Sequence, residues 1–228
     1  MTEAALQPPF DTFVFDLDGT LLDTLDDLVT LTNDVLAEEG MPARTRAEIN
    51  SYVGNGALAL IRQAVPDGTP DDVADRVHRR WVEAYDRYPN DLTHPYEGVA
   101  DMLVALRERG CKLGILSNKF DGGVQFIVKK CLDGLVDVAY GEGGPLDLPR
   151  KPDPTGLRAI IEELSSSPDR TVYIGDSPGD IHVARNAGCY AVGVSWGYHD
   201  PCDFKAEGWA PDMLATAPGQ IVGLAIYD

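Results

Sequence analysis

The chain has 228 residues, 44% of them apolar and 25% charged, which suits one large domain or a domain carrying a substantial insert. Its formal charge of −18 argues against nucleic acid, which needs a basic footprint, and against an anionic membrane surface. No stretch nears ~20 unbroken apolar residues, so no membrane-spanning helix is expected.

The opening MTEAALQPPFD is acidic and proline-bearing, unlike the basic and then apolar start of a secretory leader, so a cytoplasmic setting is expected. Five short apolar runs read as buried parallel strands: Thr12–Asp16, Lys112–Ser117, Val136–Tyr140, Thr171–Asp176 and Tyr190–Val194. Between the later runs lie helical stripes. Val99, Met102, Leu103 and Leu106 form one that Gly110 ends; Leu157, Ile160, Ile161 and Leu164 form the next; Ile181, Val183 and Ala184 open a third that Gly188 ends. This alternation predicts an α/β fold with a parallel sheet, whose ligands sit beyond the carboxyl ends of the strands.

Residues 23–92 break the alternation and read as wholly helical. Thr24 with Asp27, Thr45 with Glu48, and Thr69-Pro70 before Asp72 are start signals; Gly40-Met41-Pro42 and Pro66-Asp67-Gly68 are breaks. The last helix there is expected to bury Val73, Val77, Trp81 and either Tyr85 or Tyr88. Such a block is too long for a simple crossover, so it is expected to be a small cap domain over the strand ends. The core domain is then 1–22 with 93–228. Cys111, Cys131, Cys189 and Cys202 lack CxxC spacing and read as reduced thiols, with no zinc site.

Four polar clusters fall at strand ends or in loops before strands. Asp16 and Asp18, two apart, can leave the first strand on one side. Two carboxylates so close repel unless a cation joins them, and hard oxygen ligands suit Mg²⁺. A strand-ending turn is the competing reading of that pair. Ser117 and Asn118 can hold phosphate oxygens, or Ser117 can cap the next helix. Lys151, one of six lysines, is stiffened by Pro152 and Pro154 and can present a point charge to a phosphoryl group. Asp176 can complete the oxygen-ligand set with Asp16 and the carbonyl of Asp18, while Asp180 orients water ligands from behind; either can instead cap the helix from Pro178.

Taken together, Asp16-x-Asp18-Gly-Thr, Ser117, Lys151 and Gly175-Asp176-x-x-x-Asp180 resemble the motif set of the haloacid dehalogenase superfamily, over nearly the whole chain. The resemblance implies a Rossmann-like three-layer core with a helical cap inserted after the first strand. It also implies Asp16 as nucleophile forming an aspartyl-phosphate, Asp18 as general acid and base, and Mg²⁺ between Asp16, the Asp18 carbonyl and Asp176. Ser117, Asn118 and Lys151 would meet the phosphoryl group. Dehalogenases of the superfamily lack the second motif carboxylate, so Asp18 points to phosphoryl chemistry. Phosphonate hydrolases use a cap lysine, and residues 23–92 contain none.

Within the superfamily, the Ser51–Ala57 segment, Asn118-Lys119 and the Lys151 loop are similar to phosphoglycolate phosphatases. Gly54, Asn55 and Gly56 precede an apolar helix over Ala57–Val65, whose N-terminus can receive a small carboxylate; Arg62 is a further candidate, and a plain turn is the alternative. The expected activity is a Mg²⁺-dependent phosphomonoesterase acting on 2-phosphoglycolate or a similar small metabolite, as a monomer or homodimer. A β-phosphoglucomutase-like isomerase shares every core motif, and a phospho-receiver without turnover shares the acidic cluster and lysine. His78, His94, His182 and His199 lack metal-ligand spacing and read as packing or surface residues; Trp81, Trp196 and Trp209 read as core or domain-edge residues.

Overall fold

The computed structural model of the chain describes residues 10–206 and 210–225, so Trp209 lies outside the described residues. Six parallel strands, β1 (Thr12–Phe15), β4 (Lys112–Phe120), β5 (Val138–Glu142), β6 (Thr171–Gly175), β7 (Tyr190–Val194) and β8 (Met213–Ala215), form a sheet in the order β5-β4-β1-β6-β7-β8. β1 sits at its centre, Phe13 facing Leu113 on one side and Val172 on the other. Side chains alternate across the sheet. Phe13 and Phe15 pack with Val99, Leu103 and Leu106 of α5 (Val99–Glu108) and with Val124 and Ile127 of α6 (Asp121–Cys131). Val14 packs on the opposite face with Leu157 and Ile160 of α7 (Thr155–Glu163) and Ile181 of α8 (Pro178–Ala187). The result is the expected three-layer α/β core, each fully buried aliphatic or Phe side chain contributing about 1.5–3 kcal/mol.

Three strands differ from the sequence reading. β5 begins two residues late, and β8, a three-residue edge strand, was not anticipated. β4 does not stop at Ser117: it runs to Phe120 through a register shift after Leu116, so Ser117 lies within the strand and caps no helix.

Between β2 (Leu22–Asp23) and β3 (His94–Pro95) lie α1 (Leu25–Glu38), α2 (Arg46–Tyr52), α3 (Gly56–Ala64) and α4 (Asp71–Tyr85). β2 and β3 pair antiparallel, Asp23 opposite His94. The four helices share their own apolar centre, including Leu31, Val35, Ile49, Ile61, Val77 and Trp81. Phe120 reaches it from the end of β4 and meets Tyr85 edge-on at 5.1 Å between ring centres. Tyr85, not Tyr88, is the buried tyrosine of α4.

The start signals divide. Thr45 and Glu48 form a reciprocal capping box, as expected. Thr24 gives α1 no side-chain cap, and Asp27 turns away to accept from the N–H groups of Leu92 and Thr93 (3.1 and 2.6 Å) and the Thr93 hydroxyl (2.7 Å). Thr69 donates back to the Pro66 carbonyl, and α4 has Pro70 at its N-cap position. In both cases the local pattern of a cap yields to another partner.

Candidate active site

The carboxyl ends of β1, β4 and β6 converge on one point. The Asp16 N–H donates to the Ile174 carbonyl (2.8 Å), which fixes that carboxylate just past the end of β1. The chain then turns tightly, the N–H groups of Leu21 and Leu22 both reaching the Leu17 carbonyl at 3.0 Å. Gly19 makes the turn possible. Its φ is +83°, and a Cβ there would lie 2.5 Å from Asp176 Oδ2.

Asp16 Oδ1 is buried, 2.8 Å from Lys151 Nζ, yet no donor among the described residues is aligned to hydrogen-bond it. Burial pushes the Asp16 carboxyl up to about 7; Lys151 opposes that rise, while Asp180 and Asp176 add to it. Lys151 Nζ also pairs with Asp180 Oδ1 at 2.7 Å. Burial works to lower the lysine's pKa, but Asp16 and Asp180 outweigh it and hold the ammonium well above its ordinary value.

Asp180 joins the start of its helix, as its cap reading expects, and also holds Lys151. Its Oδ2 accepts from the N–H and hydroxyl of Ser177 (3.0 and 2.6 Å) at the start of α8, and its Oδ1 accepts from Lys151 and from the Tyr173 hydroxyl (3.3 Å). Asp176 Oδ2 accepts from the Tyr198 N–H at 2.7 Å, and Oδ1 lies 3.4 Å from the Thr20 hydroxyl. Asp16, Asp176 and Asp180 each offer an oxygen within 4.8 Å of the others. This all-carboxylate donor set, with one buried oxygen lacking an aligned donor, fits a hard divalent cation such as Mg²⁺.

Asp18 lies beside this group. Its Oδ1 accepts from the Thr24 hydroxyl at 2.6 Å, and Lys119 Nζ stands 3.2 and 3.4 Å from its two oxygens. Ser117 is buried, its Oγ accepting from the Lys119 N–H at 3.2 Å. Asn118 is a connector: its amide donates to the Gly54 carbonyl (2.8 Å) and its oxygen accepts from the Lys151 N–H (2.7 Å). The Gly54–Gly56 segment is thus held on the core by its backbone, since Arg150 also donates to the Asn55 carbonyl. Gly56 (φ +81°) opens α3 against Glu142, whose Oε2 would lie 2.7 Å from a Cβ there. Arg62, by contrast, pairs with Asp75 on the surface at 3.2 Å.

A cavity of about 40 Å³ lies between the strand ends and the helices. Asp16, Asp18, Ser117 and Lys119 line its core side, while Leu28, Val53, Ala57, Leu60 and Trp81 line the helical side. The arrangement offers a buried carboxylate for attack, a second carboxylate beside it and a fixed ammonium for developing negative charge.

The family model of the haloacid dehalogenase-like hydrolases matches residues 13–194. The chain belongs to that family. Among curated relatives of this hydrolase, the phosphoglycolate phosphatase of Vibrio cholerae is 34% identical over 224 residues, 93% of this chain and 95% of that one. The N-acetylmuramic acid 6-phosphate phosphatase of Pseudomonas aeruginosa is 28% identical, covering 92% of each chain. The crystal structure of a predicted phosphoglycolate phosphatase from Haemophilus somnus is similar with a TM-score of 0.84 and 28% identity, over 95% of this chain and 98% of that one. This haloacid dehalogenase-like hydrolase is a phosphatase.

Sequence reasoning gave no chemical role to three residues of the hydrolase's site, Lys119 entering only within the Asn118-Lys119 pair. Lys119 is seated against Asp18 from 101 positions away. Tyr198 accepts from the Thr24 N–H at 2.7 Å, and its hydroxyl is pushed up by burial and by Asp18. His199, expected as a packing or surface residue, has Nδ1 3.5 Å from Asp176 Oδ2, and that carboxylate raises its pKa. Tyr198 and His199 sit in a loop without a motif; only its position after the β7 strand end pointed toward the site. Trp196 is a site-edge residue, its indole donating to the Thr20 carbonyl at 3.0 Å. Among the described residues, no helix is long and apolar enough to cross a membrane.

Proposed function

We propose that this phosphatase hydrolyses a small phosphomonoester, 2-phosphoglycolate or a close analogue, through a phosphorylated Asp16 and with Mg²⁺. The observation that carries the reading is Asp16 itself, a buried carboxylate lining a cavity, its Oδ1 without an aligned donor and 2.8 Å from Lys151. Asp16 attacks phosphorus in line, forming the aspartyl-phosphate as the ester oxygen departs. Asp18 gives that oxygen its proton and then takes one from the water that hydrolyses the intermediate. Ser117 and Lys151 meet the phosphoryl oxygens, Lys151 kept aimed by Asp180. Asp16, the Asp18 carbonyl and Asp176 would hold Mg²⁺, which when bound supplies positive charge for the phosphoryl oxygens. Residues 23–92 serve as a cap that excludes water, its Gly54–Gly56 segment tied to the phosphate-side lysine through Asn118.

The test is steady-state phosphate release from 2-phosphoglycolate, N-acetylmuramic acid 6-phosphate and glucose 1-phosphate, with and without Mg²⁺. Multiple metal-dependent turnovers with 2-phosphoglycolate preferred, and none by Asp16→Asn with its fold intact, are expected. Sugar isomerisation without phosphate release would support the mutase instead, and a long-lived phosphoprotein without turnover the receiver. Retained activity in Asp16→Asn overturns the mechanism.

A further inference from the structure

Among the described residues, Lys119 is the one side-chain cation lining the cavity beside Asp16 and Asp18. Lys151 pairs with Asp16 and Asp180 and lines the adjoining cavity on the phosphoryl side, and Arg62 is spent on Asp75. The ammonium of Lys119 is almost wholly buried, its side chain 5% exposed, and stands 4.9 Å from the centre of the Tyr85 ring. Its carboxylate partner is Asp18, at 3.2 and 3.4 Å, distances longer than those of a tight charge-assisted hydrogen bond. Asp18 has a second and shorter donor, the Thr24 hydroxyl at 2.6 Å, and so stays anchored if Lys119 turns elsewhere. The helical wall opposite is apolar, with Leu28, Leu60 and Trp81 offering nothing to an anion there.

We propose that Lys119 is the specificity residue of this enzyme, its ammonium receiving a carboxylate carried by the substrate one carbon from the ester oxygen. This rests on the reading above, in which Asp18 protonates that oxygen. A group lying next to Asp18 that also reaches Lys119 is one carbon away, not several. The substrate class is therefore short phosphorylated 2-hydroxy acids, and a neutral ester of the same size leaves a buried ammonium with no new partner. Binding exchanges part of the Lys119–Asp18 pair for a Lys119–substrate pair, so only a substrate with the second anion frees Asp18 for proton transfer.

The test compares kcat/KM for 2-phosphoglycolate with that for ethyl phosphate and for the amide of 2-phosphoglycolate. The wild type is expected to prefer the carboxylate about 10–100-fold, the range of a charge-assisted hydrogen bond. In Lys119→Met that ratio falls toward one, and in Lys119→Arg it is largely restored. No wild-type preference overturns the proposal, and that comparison stands even if Lys119→Met fails to fold. An unchanged ratio in Lys119→Met, with all three esters slowed equally, also overturns it and leaves Lys119 as a positioning residue for Asp18. If the wild type hydrolyses none of the three while acting on other phosphomonoesters, this proposal and the 2-phosphoglycolate assignment fail while the phosphatase mechanism stands; inactivity on every phosphomonoester fails the mechanism too.

Discussion

Replacing Asp180 with asparagine isolates charge from shape at the most enclosed carboxylate of the site, which is fully buried. The carboxylate now accepts from four donors: Lys151 and Tyr173 on one oxygen, the N–H and hydroxyl of Ser177 on the other. Asparagine has one accepting oxygen. With that oxygen toward Lys151, the amide faces Ser177, whose hydroxyl can turn to accept but whose N–H is left unsatisfied. In the other orientation the amide faces a buried ammonium, which is worse. The better orientation costs about 1–3 kcal/mol for the orphaned N–H and about 1 kcal/mol for weakening the bond to Lys151, so about 3 kcal/mol in all. Against an ordinary stability of about 5–15 kcal/mol and a urea slope of about 3 kcal/mol/M, the unfolding midpoint should fall by about 1 M. Urea titration followed by tryptophan fluorescence, with EDTA present, reads this directly. A shift under about 0.3 M would show that the four contacts do not hold Lys151 in place, and would refute the positioning role given to Asp180.

Asp27→Ala should destabilise the protein by about 3 kcal/mol in the same assay, because it strands the buried N–H and hydroxyl of Thr93 and removes the partly buried bond from the Leu92 N–H; a loss below about 1 kcal/mol would contradict this. For Asp16 the sign follows from a folded pKa of about 7, above the ordinary carboxylate value. The folded form then binds more protons than the unfolded one between about pH 4 and 7, so metal-free stability should fall as pH rises through that window. Urea midpoints in EDTA at several pH values should show a slope that Asp16→Asn lacks, and Mg²⁺ should flatten it in the wild type; identical slopes for the two proteins would dispose of the argument.

Much of the core was legible because its signals are local. An apolar run ending in Asp16 or Asp176 announces both a buried strand and the polar group at its end. Where the structure departs, the cause is a partner distant in sequence. Thr24 and Asp27 have the spacing of a helix cap, but Asp18 and Thr93 offer better-placed partners. Ser117 has the look of a cap because polar residues follow an apolar run, yet β4 continues because Phe120 has an aromatic nest in the helices. β8 buries one of its three residues, too few for a periodic pattern. Lys119 carried no local sign of its role, since nothing near it in sequence says that it will face Asp18. Asp180 reads as a helix cap or an orienter of ligand water; one oxygen takes the cap contacts and the other goes to Lys151, a partner 29 positions away.

The pairing of Asp23 with His94 has a consequence for the history of such molecules. Antiparallel neighbours lie about 5 Å apart, so the chain leaves the sheet layer and returns to it at nearly the same spot. To the β/α layers, everything between those two residues is a single closed loop, and lengthening a loop raises its closure entropy only logarithmically, about 0.6 kcal/mol per doubling. Helices there can be added, shortened or exchanged without moving Asp16, Lys151 or Asp176. The same chemistry can thus be reissued for new substrates by rewriting one contiguous stretch of gene.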